Sequence, residues 1–136
     1  MSRILAIDYG TKRCGIAVTD NLKITANPLD TVHPEKLLEY LANYIQENEV
    51  EILVVGAPFR MSGEASKVET EIVGFIRKFK KQFPQIPVER EDERLTSKMA
   101  SQTIASLGIP KNKRKDKSLV DKMSATLILQ SFLNRI

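Results

Sequence analysis

The chain opens with an apolar run, Ile4-Leu5-Ala6-Ile7, that ends on Asp8. It turns through Tyr9-Gly10-Thr11-Lys12-Arg13 and restarts as a second apolar run from Cys14 to Val18. This is the layout of a β-hairpin with a charged tip, and it constrains the fold more than any other segment. Asp8 stands where the first strand runs out of core. A carboxylate there is solvated, paired or holding a metal, because burying it bare costs several kcal/mol or more. Lys12 and Arg13 lie close enough in the chain to draw in a phosphate that such a metal would attack. The alternative is an aspartate that only caps a turn, and the hairpin by itself does not choose.

Further strand-like runs fall near 51–56 and 86–91, beside the two hairpin strands near 3–8 and 13–19. A weaker candidate from Lys23 to Ala26 could extend the hairpin into a meander. The run Ile52-Leu53-Val54-Val55 is nearly unbroken, as in strands buried on both faces of a parallel sheet. Helical spacing fills the gaps. Pro34 to Asn48 opens on proline and Glu35 and places Leu37, Leu38, Leu41 and Ile45 on one face. Ser62 to Phe83 carries Val68, Ile72, Phe75, Ile76 and Phe79, and Pro84 ends it. Thr96 to Leu107 stops at Gly108 and Pro110, and Ser118 to Asn134 follows the basic stretch after it. A hairpin followed by alternating helices and strands predicts an α/β fold with a mixed sheet and helices on both faces.

With 136 residues the chain is expected to be one domain over 1–136 with a real core. Aromatic residues make up 6% and tryptophan is absent, too few for a stacking platform on single-stranded nucleic acid. A net charge of +4 permits a polyanionic partner without demanding one. The single cysteine, Cys14, cannot form an internal disulfide, and no Cys/His cluster has zinc spacing. Cys14 reads as a small hydrophobe in the second strand, and the single histidine, His33, as a loop residue before Pro34. Histidine acid–base chemistry is therefore disfavoured, and any metal would be a hard cation on carboxylates, magnesium or manganese. No apolar run approaches membrane-spanning length, and the first is too short for a signal peptide, so the expectation is a cytoplasmic protein without membrane contact.

Three acidic positions stand out. Besides Asp8, the cluster Glu91-Asp92-Glu93-Arg94 closes the fourth of the stronger strands, where open α/β sheets build their sites. Alternation from Ile86 and Val88 puts Asp92 on the apolar face and Glu93 on the other, and a turn beginning there would undo that parity. Asp121 heads a stripe of Ala125, Ile128 and Phe132 on its helix, so it points toward the core margin. A first-turn aspartate also suits the helix dipole, but the dipole does not explain the apolar neighbours. Lys111, Lys113, Arg114, Lys115 and Lys117 crowd the loop before that helix, where they could clasp a nucleic-acid backbone. Ser62 and Gly63, at a helix entry, could present amides to an anion. Three carboxylates without a histidine base suggest phosphoryl transfer assisted by two divalent ions, about 3.5–4 Å apart in such sites.

The motifs Asp8-Tyr9-Gly10-Thr11-Lys12-Arg13 with Gly15, Val55-Gly56-Ala57-Pro58 with Met61 and Gly63, Asp92-Glu93-Arg94-Leu95-Thr96, and Val120-Asp121-Lys122-Met123-Ser124-Ala125 occur in that order. In combination, over essentially all of its length, the chain resembles the YqgF/RuvX family. These are RNase H-like proteins regarded as Holliday-junction resolvases and as pre-16S rRNA nucleases. The resemblance implies an RNase H-like fold, a five-stranded mixed sheet flanked by helices. Its strands one to three would be antiparallel, with four and five parallel to the first. It implies that Asp8, Glu93 and Asp121 gather as ligands of two magnesium or manganese ions, and it favours Glu93 over Asp92. Lys12, Arg13 and Arg94 would then face phosphate. The implied function is a metal-dependent endonuclease processing the 5′ end of pre-16S rRNA, with ribosomal precursor particles as partners and a monomeric or homodimeric state. Ala57, Arg60, Ser97 and Ser124 depart from common family residues, and none of these removes a proposed ligand.

Two other readings compete. One is a resolvase of branched DNA, and the other is a nucleic-acid or ribosome-assembly factor that binds without cutting. Asp8-Tyr9-Gly10-Thr11 also resembles the first phosphate loop of sugar kinases and actin-like ATPases. Those proteins close two such domains around a nucleotide, and this chain has neither the length for a second lobe nor a late glycine pair for adenosine.

Overall fold

Side-chain alternation along the first strand divides the molecule in two. A computed structural model of the chain describes residues 2–58, 64–92 and 117–136, without the side chains of 64–66 and 117–122. Strand β1 (Arg3–Asp8) sends Leu5 and Ile7 into one buried cluster and Ile4 and Ala6 into another. Strands β2 (Cys14–Thr19) and β3 (Ala26–Val32) continue the hairpin into an antiparallel meander, with Leu5 opposite Val18 and Gly15 opposite Thr31. The chain then passes through helix α1 (Pro34–Glu47) to β4 (Val50–Ala57), which runs parallel to β1 on its other side. Helix α2 (Glu64–Gln82) leads to β5 (Val88–Asp92), parallel to β4. Helix α3 (Lys117–Arg135) follows. The sheet order is β3-β2-β1-β4-β5, so β1 lies at the centre of a five-stranded mixed sheet.

Helices α1 and α2 cover one face, where Leu37 and Leu41 meet Ile72, Phe75 and Phe79 over Leu5, Ile7, Ile16 and Leu53. Tyr9, Phe75, Phe79 and Phe83 form a ladder of tilted rings along α2, with centroids 5.8, 6.2 and 5.1 Å apart. The other face is covered by α3, whose residues Ser124 to Leu129 are all buried. Ala125, Ile128, Leu129 and Phe132 pack there on Ile4, Ala6, Ala17 and Val54. Small side chains on both partners let this helix approach the sheet closely.

Local chemistry sets the boundaries. His33 caps α1 by accepting the Glu35 N–H at Nδ1 (3.2 Å), with Pro34 in the first turn. At the other end the Asn48 N–H donates to the Tyr44 carbonyl at 2.9 Å. The expected strand at Lys23–Ala26 is displaced. Asp20 Oδ1 accepts the Ile24 and Thr25 N–H groups (2.8 and 3.0 Å) and Lys23 adopts φ 58°, so these residues form a turn and the strand runs from Ala26 to Val32. These backbone donors, Thr25 first, hold the Asp20 carboxyl below its ordinary range. The other elements lie within two residues of their expected bounds, and the helix expected at Thr96–Leu107 lies outside the described residues. Among the described residues no helix is long and apolar enough to cross a membrane.

Candidate active site

The C-terminal ends of the three parallel strands share one edge of the sheet. Ile7 of β1 is level with Val55 of β4, and Val55 with Arg90 of β5. Asp8 therefore ends β1 at the height of Glu91, two strands away, roughly 10 Å at ordinary strand spacing. Continuing the alternation of Ile4 and Ala6, Asp8 faces α3, and its antiparallel partner Gly15 lies on the same side. The carboxylate is half-buried.

The turn after Asp8 is tightly specified. A Cβ on Gly10 would lie 2.5 Å from the Arg13 carbonyl oxygen, so only glycine fits between strand end and return. Tyr9 turns to the opposite face and packs on Phe75, which pins the strand end to α2. Burial, then the nearby Cys14 and Glu71, push the Tyr9 phenol up. Cys14 is fully buried in β2 and its thiol meets the Gly10 carbonyl at 3.7 Å, as expected for a small hydrophobe. Lys12 is exposed at the tip and Arg13 is half-buried beside it.

In β5 the two faces are now distinct. Val88 packs with the α1/α2 cluster and Arg90 pairs with Glu69 of α2, whereas Glu91 bonds to α3. Asp92 has the parity of Val88 and Arg90, on the side away from Asp8. Asp121 lies in the N-terminal turns of α3, one turn before Ala125, which shares a buried cluster with Ala6. The side chain of Asp121, and Glu93, Arg94, Lys113, Arg114 and Lys115 altogether, lie outside the described residues. Among the described residues no three carboxylate, imidazole or thiol groups converge on a point.

Sequence reasoning missed the polar groups that fasten this edge. Arg90 donates from Nε to the Val55 carbonyl (3.2 Å) and from Nη2 to the Gly56 carbonyl (3.1 Å), while its two terminal nitrogens grip Glu69 at 2.6 and 3.0 Å. Glu91 accepts from Ser131 Oγ (2.5 Å) and Arg135 Nε (2.9 Å). The signal available was Ser131 and Arg135, an i,i+4 pair able to converge on one acidic partner from the last turns of the helix.

The family model described as RuvX, Holliday junction resolvase, matches residues 2–135. A Porphyromonas gingivalis protein named "Putative pre-16S rRNA nuclease" is 52% identical over 134 residues, covering 98% of this chain and 97% of that protein. One of the same name from Christiangramia forsetii is 51% identical over 133 residues, covering 98% of each. Among solved structures, Thermus thermophilus RuvC in complex with a Holliday junction superposes with a TM-score of 0.61 at 16% identity, over 99% of this chain and 96% of that one. This last likeness is one of fold and identifies the sheet and its helices as RNase H-like. With the family model spanning nearly every residue and relatives at half identity over the same length, the chain belongs to the RuvX family.

Proposed function

We propose that this protein is a metal-dependent nuclease that hydrolyses phosphodiester bonds in structured RNA, with the 5′ end of the 16S rRNA precursor as its substrate in the cytoplasm. The observation that carries the reading is the placement of Asp8. It ends the central strand, faces α3, and shares that side of the sheet with the helix that bears Asp121. Asp92 has the other parity, so the acidic partner from this segment is proposed to be Glu93, the next residue.

Asp8, Glu93 and Asp121 would hold one or two magnesium or manganese ions. Hard carboxylate donors without thiol or imidazole suit such ions better than softer metals. Bound there, the ions would supply Lewis acidity and lower the pKa of the attacking water. The chain's own residues do the rest. The Gly10 turn and the Tyr9–Phe75 contact fix the Asp8 backbone at the end of the central strand. Lys12, Arg13 and Arg94 would take the phosphates flanking the scissile bond, and Lys113, Arg114 and Lys115 the more distant backbone. Such contacts add affinity with little sequence preference and strong salt dependence.

A second reading, cleavage of four-way DNA junctions, is favoured by the description of the family model. It requires two sites related by a two-fold axis. The test sets labelled 16S precursor fragments, plain single strands and a four-way junction against wild type and Asp8→Asn in manganese, magnesium or EDTA. Metal-dependent cutting of the precursor, lost in Asp8→Asn, is the expected result. Cutting of the junction alone transfers the assignment to resolution. Binding without cutting, or equal cutting by the variant, overturns the catalytic reading.

A further inference from the structure

Glu91 is a carboxylate buried to 7% exposure on the α3 face of β5, at the height of Asp8 and on its side of the sheet. Its partners come from the last turns of α3: Ser131 Oγ on one oxygen and Arg135 Nε on the other. Arg135, half-exposed, makes two further contacts. Its guanidinium lies 5.1 Å over the Phe132 ring, and Nη2 reaches the Arg90 carbonyl at 3.4 Å. Among the described residues no buried side-chain polar atom lacks a hydrogen-bond partner, so this charge is fully satisfied. Such an ion pair adds little net stability compared with an apolar contact of the same size, but it fixes geometry. Apolar contacts between α3 and the sheet, among them Ala6, Ala17 and Ala125 beside Ile128 and Phe132, are non-directional, whereas the clasp adds a directional restraint.

We propose that Glu91, Ser131 and Arg135 are positioning residues for the active site, a clasp that sets the angle of α3 across the sheet and so the placing of Asp121 relative to Asp8 and to the strand end that leads into Glu93. The inference rests on the nuclease reading above. Asp121 lies seven residues from Ile128, about 10 Å along the helix axis. A swing of about 5° around Ile128 carries it through about 1 Å, and a misplacement of that size costs on the order of a hundredfold in rate.

The experiment compares Arg135→Ala, Arg135→Lys, Ser131→Ala and Glu91→Gln with wild type and Asp8→Asn, and with Lys23→Ala as a control. The control removes another ion pair, Lys23–Glu51 at 2.8 Å, far from the site at the opposite end of β1. Each variant is assayed for kcat and KM on the labelled precursor and for manganese binding by calorimetry, with circular dichroism to verify the fold. For Arg135→Ala and Glu91→Gln we expect kcat and manganese affinity to fall about 10- to 100-fold with KM unchanged, partial recovery in Arg135→Lys, and no effect in Lys23→Ala. Ser131→Ala keeps the charge pair and shows a smaller loss in the same direction, which serves if Arg135→Ala does not fold. Wild-type kcat and manganese affinity in Arg135→Ala and Ser131→Ala, beside an inactive Asp8→Asn, overturn the clasp and leave the nuclease reading standing. Full metal-dependent cleavage by Asp8→Asn overturns the nuclease reading and the clasp with it.

Discussion

The two faces of the sheet are built from different materials. Toward α1 and α2 the side chains are large: Phe75, Phe79, Leu37, Leu41 and Ile72 over Leu5, Ile7 and Ile16. Toward α3 they are smaller at the contact, with Ala6, Ala17 and Ala125 among Ile4, Val54, Ile128 and Phe132. The first face buries apolar area, the main favourable term in folding. The second brings one helix close to the strand that ends in Asp8 and fastens it with polar groups. The larger apolar cluster and the proposed chemistry would thereby fall on opposite sides of one strand.

The largest effect expected from breaking this division is on stability. Phe79→Ala, at the centre of the ring ladder and fully buried, is expected to lower unfolding free energy by about 3–5 kcal/mol. Cleavage per folded molecule should stay intact at low temperature, as measured by urea denaturation beside the assay. Asp8→Asn is the converse. It should lose more than about a hundredfold in cleavage, beyond the range for groups that only support a metal ligand, while the melting curve stays within about 0.5 kcal/mol of wild type. A subtler test is Ala6→Leu, which inserts bulk beneath α3. Overpacking is expected to cost about 1–3 kcal/mol, with a fall in kcat larger than that in Phe79→Ala despite the smaller loss of stability. Equal activity in these two variants would erase the distinction between the faces.

The smallest effect is on pH dependence, and it belongs to the α1 side alone. Burial, then the adjacent Asp30 carboxylate and the hydrogen bond to it, push the Tyr40 phenol up to about 12. In the unfolded chain it titrates near 10. Between those values the native state holds the extra proton, so this contribution is whole below pH 10 and is lost as pH rises through about 12. Denaturation midpoints from pH 9 to 12 should fall in wild type and fall less in Tyr40→Phe, with no counterpart in variants of the α3 face.

What could be read from residues alone follows the same division. The apolar spacing of α1, α2 and α3 foretold their bounds and inward faces because each buries a continuous stripe. The third strand was expected too early in the chain, at Lys23–Ala26 and not Ala26–Val32, because it is an edge strand. Asn27, Pro28 and Asp30 interrupt any alternation, and backbone pairing to β2 holds it in place. Asp8 was legible as the residue where a buried strand stops. The choice between Asp92 and Glu93 was not, because β5 carries charged residues on both faces, Arg90 toward α2 and Glu91 toward α3. Alternation from Ile86 and Val88 gives Asp92 the side of Val88 and Arg90 that it has in β5, but it does not say which face carries the site. Long-range partners such as Glu91 and Arg135 leave no local pattern, since what defines them is their meeting in space.

The placement of α3 also has a consequence in time. Everything needed for the α1/α2 face has been synthesised once Val88 is made, whereas Ile4, Ala6 and Val54 wait for a helix that ends at Arg135. At about 5–20 residues per second, the growing chain carries one bare side of its sheet for roughly 2–9 s. During that interval it can neither assemble the candidate site nor hide a surface that chaperones bind. Ribosome-arrested chains stopped before Lys117 should be captured by a hydrophobic-surface probe, and chains extended well past Arg135 should not. A chain arranged in this way lacks one face of its sheet until Arg135 has been made.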